Sequence, residues 1–153
     1  MNPIRHTLST GAALALMAAA TLPNIAFAQA DPLARAAAEK GATVTASGLI
    51  FLSLRNGTGA TPKAIDTVSV NYRGTLTDGK EFDSSYSRGK PASFPLNRVI
   101  PCWTEGLQRM QVGGKARLTC PAAIAYGDRG AGGVIPPNTV LQFEVELLGI
   151  GGN

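Results

Sequence analysis

Histidine is almost absent from the sequence: His6 is the only one among 153 residues. It lies within residues 1–28, which have the pattern of a cleaved export signal. Imidazole is the usual general base, nucleophile activator and zinc ligand in enzymes. Because the rest of the chain has none, most hydrolase chemistries are excluded. We expect a function that needs neither metal nor cofactor.

The sequence also lacks an apolar run long enough to span a membrane. Arg5 gives a short basic start, and the apolar run 11–22 is shorter than the ~20 residues of a spanning helix. Ala26 and Ala28 are the small residues that a signal peptidase recognises. We therefore predict cleavage after Ala28, no membrane insertion afterwards, and a periplasmic or secreted protein of the bacterial envelope. The alternative is a retained N-terminal anchor.

Runs of basic residues are missing as well. The 14 Lys and Arg residues are scattered among 10 acidic ones, and the formal net charge is +4. This pattern gives no support to nucleic-acid binding.

Cysteine is scarce: Cys102 and Cys120 are the only two. In an oxidising compartment they are expected to form a disulfide, which would stabilise the fold by ~3 kcal/mol. The sequence leaves a second interpretation open, in which both are buried free thiols that act as small hydrophobic side chains.

Beyond the predicted signal at 1–28, the chain divides into a leader at 29–47 and one domain at 48–150. The leader contains a short helix signal, with Asp31 as cap and Pro32 in the first turn. The chain without its signal is long enough for one hydrophobic core and too short for two.

The domain has the pattern of an antiparallel sheet, with apolar residues alternating along its segments. Asp78-Gly79 predicts a hairpin turn. The segment 81–91 is expected to begin as a strand and to become an irregular polar flap. Five or six strands are predicted, at 48–54, 67–76, the start of 81–91, 92–96, 115–120 and 139–150.

One amphipathic helix is predicted, at 98–110, where Trp103, Leu107 and Met110 share a face. A sheet with one buried face needs an apolar element laid across it, and this helix is the candidate. The predicted fold class is therefore α+β, an antiparallel sheet half-wrapped around one short amphipathic helix.

Several aromatic residues lie beside loops. Phe82 is followed by Asp83, and Tyr126 opens a glycine-rich loop. Each aromatic residue taken alone is explained by core packing. Together they favour an apolar pocket with a few polar groups, which is typical of a small-ligand site.

Three long segments resemble a known family in order: VNYRGTLTDGKEFDSSYSRGKP, VIPCWTEGLQRMQVGGKARL and AYGDRGAGGVIPPNTVLQFEVELL. They are similar to the FKBP-type peptidyl-prolyl cis/trans isomerases, and the resemblance covers about residues 48–150. It implies an FKBP-like half-barrel of five or six antiparallel strands around a short helix. It also implies an enzyme that accelerates rotation about X-Pro bonds in folding proteins.

The resemblance implies a proline-binding pocket with Trp103 as its floor. Ile100 would donate its backbone N–H to a substrate carbonyl, and Tyr126 would offer its hydroxyl to the bound peptide. Asp83 would lie at the pocket edge, held by Arg88. The remaining wall and rim residues would be Tyr72, Phe82, Phe94, Val99, Ile135 and Phe143.

Two positions depart from the family pattern. Ala131 stands where relatives often carry a histidine, and Ala92 stands where a pocket aromatic is expected. Phe94 lies on the same strand face as Ala92 and is expected to substitute for it. These departures affect substrate preference and the affinity for ligands of the macrolide immunosuppressant type.

Three functions compete at this point. The first is an isomerase acting on proline-containing polypeptides, and the second is a non-catalytic proline-peptide-binding or chaperone module using the same pocket. The third, a phosphate-binding glycine loop, is disfavoured, because GAGG lacks a following Lys-Ser/Thr and leads into Pro136-Pro137. We expect a monomer, since no long dimerisation arm is evident.

Overall fold

The computed structural model describes residues 31–151, so the predicted signal at 1–28 lies outside the described residues. Its helices are α1 (Pro32–Ala37), α2 (Ser85–Arg88) and α3 (Pro101–Leu107), with 3-10 turns at Leu96–Arg98 and Ala122–Ile124. Its strands are β1 (Thr43–Val44), β2 (Ile50–Arg55), β3 (Thr67–Leu76), β4 (Glu81–Ser84), β5 (Ala92–Pro95), β6 (Lys115–Cys120) and β7 (Leu141–Ile150).

The strands form one antiparallel sheet in the order β1-β2-β6-β7-β3-β4, and β5 also pairs with β3. The α+β class is thus confirmed, with seven strands instead of five or six. The additional strand is β1, whose two residues pair with Ile50 and Phe51. Two residues are too few for alternation to be visible in a sequence.

Alternation along the two ten-residue strands separates the faces of the sheet as predicted. Val68, Val70 and Tyr72 of β3 are buried, and so are Leu141, Phe143, Val145 and Leu147 of β7. Tyr72 pairs with Val145, and Gly74 pairs with Phe143. The two strands therefore present a continuous apolar surface to one side.

Helix α3 covers that surface. Pro101 begins it, where a missing N–H costs nothing, and Trp103 and Leu107 are buried against the sheet. Gly106 lets the helix approach β6 closely: a Cβ there would lie 2.7 Å from Leu118 Cδ1. The predicted amphipathic helix is confirmed, although it ends three residues before Met110, which is also buried.

A disulfide joins α3 to the sheet. Cys102 and Cys120 are bonded, their Cα atoms are 5.9 Å apart, and both residues are fully buried. The free-thiol interpretation is therefore wrong.

The segment after β4 is more regular than the predicted flap. Ser84 caps α2 by accepting a hydrogen bond from the Ser87 backbone N–H, and Gly89 ends it at φ +73°. Ser85 is fully buried, and its hydroxyl accepts from the Tyr72 backbone N–H at 2.9 Å. The serines thus replace missing backbone hydrogen bonds, a role that the sequence pattern did not reveal.

Helix α1 lies on the outer face of the sheet. Asp31 caps it through the Leu33 N–H, as the sequence predicts, and Ala36 is buried. Just beyond the helix, Glu39 accepts from Arg117 of β6 at 3.0 Å. None of the helices between residues 31 and 151 is long and apolar enough to cross a membrane.

Candidate active site

A cavity of about 440 Å³ opens beside α3 on the inner face of the sheet. Strands β3, β4, β5 and β7, helix α3, the residues before α3 and the loop after β6 all contribute to its wall. Its lining residues are Tyr72, Phe82, Asp83, Phe94, Arg98, Val99, Ile100, Trp103, Tyr126 and Phe143. Most of this surface is aromatic or aliphatic.

Trp103 is the centre of the aromatic packing. Its ring makes edge-to-face contacts with Tyr72 at 5.1 Å, Phe143 at 5.4 Å and Phe94 at 5.5 Å between centroids. Phe82 packs on Phe143 in the same way at 5.5 Å. Such pairs favour a fixed geometry, so the rings form a rigid apolar wall.

The indole N–H of Trp103 is buried and has no hydrogen-bond partner among the described residues. An unpartnered buried donor costs free energy, because it loses water without a replacement. The rings around it therefore form an environment that offers no strong acceptor.

A polar cluster occupies one edge of the cavity. The Asp83 carboxylate accepts from the Tyr72 hydroxyl at 2.5 Å, from Arg88 Nη1 at 2.5 Å and from the Ser84 N–H at 2.9 Å. Arg88 also donates to the Tyr72 hydroxyl at 2.9 Å, and its guanidinium lies 5.6 Å from the centroid of the Tyr72 ring. The carboxylate therefore accepts hydrogen bonds from three donors.

These contacts set the charge state of the cluster. Partial burial tends to raise the pKa of Asp83, but the hydrogen bonds from Tyr72 and Arg88 outweigh burial and hold it below its ordinary value. Burial, and then the bond to Asp83, raises the pKa of the Tyr72 hydroxyl. At neutral pH, Asp83 is an anion and Tyr72 a neutral donor.

Two unused donors lie at the cavity wall. The backbone N–H of Ile100 makes no hydrogen bond within residues 31–151, and its carbonyl accepts from Trp103 and Thr104 at the start of α3. The Tyr126 hydroxyl likewise has no partner in the described part of the chain, and Tyr126 is 41% exposed. Both groups are free to bond a ligand in the cavity.

Ile135 differs from its predicted position. It does not line the cavity and is buried at 5% exposure in the hydrophobic core. The cause is a tight turn in which Ala131 and Ile135 exchange both backbone hydrogen bonds, at 2.9 and 3.0 Å. Gly130 is needed there, because it has φ +64° and a Cβ would lie 2.2 Å from the Ile135 carbonyl oxygen.

The other candidate residues come together at the cavity. Arg88 reaches it through Asp83 and Tyr72 and does not line it. Phe94, and not Ala92, lies on its wall. Arg98 also lines the cavity and is not among the predicted residues; its only signal in the sequence is its position directly before Val99 and Ile100.

A second cavity, of about 580 Å³, lies between α1 and the outer face of the sheet. Its lining includes Arg73, Arg117 and Glu144, which already take part in ion pairs. Because all three charges are already paired and Phe143 is the only aromatic residue in this lining, the inner cavity is the candidate site.

Comparison with known proteins identifies the family. The sequence model of the family described as FKBP-type peptidyl-prolyl cis-trans isomerase matches residues 59–148, more than half of the chain. The chain belongs to this family. The resemblance seen in the sequence is thus confirmed, and the cavity lies within the part of the FKBP-type chain that matches.

Two relatives carry the name FKBP-type peptidyl-prolyl cis-trans isomerase FkpA. The chain is 57% identical to that of Aeromonas hydrophila over 118 residues, covering 77% of this chain and 44% of the relative. It is 54% identical to that of Escherichia coli K12 over 114 residues, covering 74% and 42%. The chain thus spans less than half the length of these relatives.

Solved structures give the same fold. FkpA from Escherichia coli superimposes with a TM-score of 0.76 at 51% identity, covering 78% of this chain and 55% of that one. A peptidyl-prolyl cis-trans isomerase from Pseudomonas syringae pv. tomato has a TM-score of 0.74 at 42% identity, covering 79% and 89%. The half-barrel fold expected for an FKBP-type chain is therefore confirmed.

Proposed function

We propose that this chain is a peptidyl-prolyl cis-trans isomerase that acts on proline-containing polypeptides. The observation that carries the proposal is the aromatic cavity of about 440 Å³ around Trp103, in a chain that belongs to the FKBP-type family. The cavity is about the size of a small-ligand site, and its apolar wall suits the proline ring.

The chemistry requires no acid or base. Rotation about a peptide bond costs ~18–20 kcal/mol because the C–N resonance is lost. Before proline the uncatalysed exchange takes tens to hundreds of seconds. Water solvates the planar, dipolar amide better than the twisted one, so an apolar cavity lowers the barrier by removing that preference. A chain whose described residues contain no histidine can perform this reaction.

We assign roles to the site residues from their contacts. Trp103 and the rings packed on it hold the proline, and the free Ile100 N–H donates to a carbonyl of the bound peptide. Tyr126 offers a second donor from the rim. Bonds that hold the peptide better when it is twisted than when it is planar lower the barrier further.

Asp83 acts in this proposal as a positioning residue. Its carboxylate is ionised and occupied by Tyr72 and Arg88, so it has no proton to give and few lone pairs to spare. It fixes the orientation of the Tyr72 ring, which is one wall of the cavity. Arg88 has the same role from the other side.

The test measures two quantities for the purified protein. One is its isomerase activity on a proline-containing tetrapeptide, and the other is peptide binding, followed by the fluorescence of Trp103. We expect catalysis, a loss in kcat/KM of at least about ten-fold in Trp103→Leu because the floor opens, and a loss of about two- to ten-fold in Tyr126→Phe from one hydrogen bond. Tyr86→Phe, outside the cavity, is the matched control and should be unchanged.

Two results would count against this function. Peptide binding without any acceleration would leave a proline-peptide-binding or chaperone module. Unchanged activity in both cavity variants would remove the site assignment.

The cellular location, oligomeric state and further ligands of the protein are part of the same proposal. A signal at 1–28 followed by a leader at 29–47 and an isomerase domain at 48–150 would deliver it to the periplasm or the exterior, where the Cys102–Cys120 disulfide persists. We propose a monomer. Ligands of the macrolide immunosuppressant type would enter the same cavity, with an affinity altered at Ala92 and Ala131.

A further inference from the structure

The charged residues that line the inner cavity differ in whether an opposite charge compensates them. Asp83 and Arg98 are the two charged side chains that line it. Asp83 is neutralised by Arg88 and bonded by Tyr72. Arg98 makes no ion pair within residues 31–151, and its side chain is exposed. The cavity wall therefore carries one uncompensated positive charge.

The backbone beneath Arg98 is firmly held. It ends the 3-10 turn Leu96–Arg98, and Leu96 is fully buried. The Leu96 N–H donates to the Asp66 carbonyl at 2.9 Å, and the Thr104 hydroxyl donates to the Leu96 carbonyl at 2.6 Å. The guanidinium is thus an unpaired charge carried by a well-held backbone segment, and not by a mobile loop.

Arg98 is also close in the chain to the peptide-binding donor. Val99 and Ile100 follow it and line the same cavity. A peptide whose carbonyl accepts from the Ile100 N–H would pass the guanidinium within one or two residues of the proline. In the loop that begins at Tyr126, Asp128 and Arg129 are exposed, do not line the cavity and are of opposite sign.

We propose that Arg98 is a specificity-determining residue that favours polypeptides with an aspartate or glutamate next to the proline. This inference rests on the proposed isomerase function and adds a substrate class to it. A carboxylate beside the proline would pair with the only free charge on the cavity wall among the described residues. A lysine or arginine in the same place would be repelled by it.

The experiment compares matched peptides that carry glutamate or glutamine directly before the proline, and a second pair that carries them directly after it. Isomerisation is followed by NMR exchange, so that no protease is needed. The glutamate peptide of at least one pair should have a kcat/KM about two- to five-fold higher at low salt, which is the range of an exposed ion pair. The ratio should approach one as salt screens the charges.

Variants assign the preference to Arg98. Arg98→Gln should bring the ratio to about one, and Arg98→Glu should invert it. Arg35→Gln removes the same charge from α1, on the outer face of the sheet, and should keep the ratio of the unaltered protein.

The outcomes separate this inference from the isomerase function. A ratio that is unchanged in Arg98→Gln, or near one in the unaltered protein for both peptide pairs, overturns the role of Arg98 and leaves catalysis intact. If no peptide is isomerised, the isomerase function fails, and titration of Trp103 fluorescence with the same peptides tests Arg98 as a binding determinant. Equal affinities for the glutamate and glutamine peptides, or no binding of either, overturn the role of Arg98 in binding as well.

Discussion

Asp83 connects the polar edge of the cavity to the strand behind it. Its carboxylate accepts from Tyr72, Arg88 and the Ser84 backbone, so one side chain orders a cavity wall and helix α2 together. The bond to Tyr72 is charge-assisted and therefore stronger than a bond between neutral groups. The energy gained is limited by water, because the Asp83 and Arg88 side chains are 43% and 44% exposed.

The Asp83→Asn variant tests the charge of this residue. Because the folded pKa of Asp83 is depressed, its stabilising effect is present above the unfolded value of about 3.9 and is lost as the pH falls through the folded pKa. At pH 7 the variant should be less stable by up to about 1 kcal/mol. Denaturant unfolding at pH 7 and below pH 3 should show this difference shrinking in acid. A difference that does not change with pH would contradict the account.

At the residue scale, the sequence predicted the cavity better than its rim. Aromatic residues beside loops, together with Asp83, indicated an apolar pocket, and the resemblance to a family then implied a place for each of them in it. Ile135 was expected at the rim, but the turn formed by Ala131 and Ile135 buries it. Arg98 was missed because an exposed arginine has no pattern in sequence, and only the folded wall shows that its charge is free.

Among the elements, α3 combines the floor of the cavity with the cover of the core. Trp103 faces the cavity, and Leu107 lies among fully buried side chains. The helix can lie this close to β6 only because position 106 has no side chain. Packing of the helix and shape of the site are therefore linked.

Gly106→Ala tests this close approach. Alanine favours a helix by about 1 kcal/mol over glycine, but its Cβ would lie 2.7 Å from Leu118 Cδ1, where overpacking costs about 1–3 kcal/mol. We expect a net loss in the free energy of unfolding of about 1 kcal/mol, measured in urea. Leu118→Val should relieve part of it in a double-mutant cycle. Gly149→Ala is the control, since nothing lies within 4 Å of its Cβ.

Alternating patterns predicted the long strands because one face of each is buried. Strands β3 and β7 follow this rule over most of their ten residues. The rule fails for β1, which is held by pairing with β2 and not by burial, and for α2, which depends on serine hydroxyls. Short elements of this kind are decided by tertiary hydrogen bonds that a local pattern does not contain.

On the scale of the whole molecule, the two faces of the sheet have different chemistry. The inner face holds the aromatic cavity and α3, while the outer face holds α1 and a set of ion pairs around Glu144 and Arg117. The Cys102–Cys120 disulfide fastens the inner layer to the sheet. Both sulfur-bearing residues are fully buried, so a reductant reaches them only when the layers separate.

Removal of the disulfide should lower the stability of the whole fold. Cys102→Ala combined with Cys120→Ala is expected to reduce the free energy of unfolding by ~3 kcal/mol, because the unfolded chain gains freedom. Denaturant unfolding measures this loss. In the unaltered protein, thiol titration should find slow reduction without denaturant and fast reduction in urea. Fast reduction under native conditions would show that the layers open readily.

The position of Trp103 in α3 also bears on how such a site can change over time. A substitution at the floor alters the core and the disulfide-linked helix together, so it needs compensation elsewhere. Arg98 and Tyr126 are exposed at the rim, so changes there should cost little stability. New substrate preferences would therefore arise first through substitutions at the rim, while the residues of the floor stay the same.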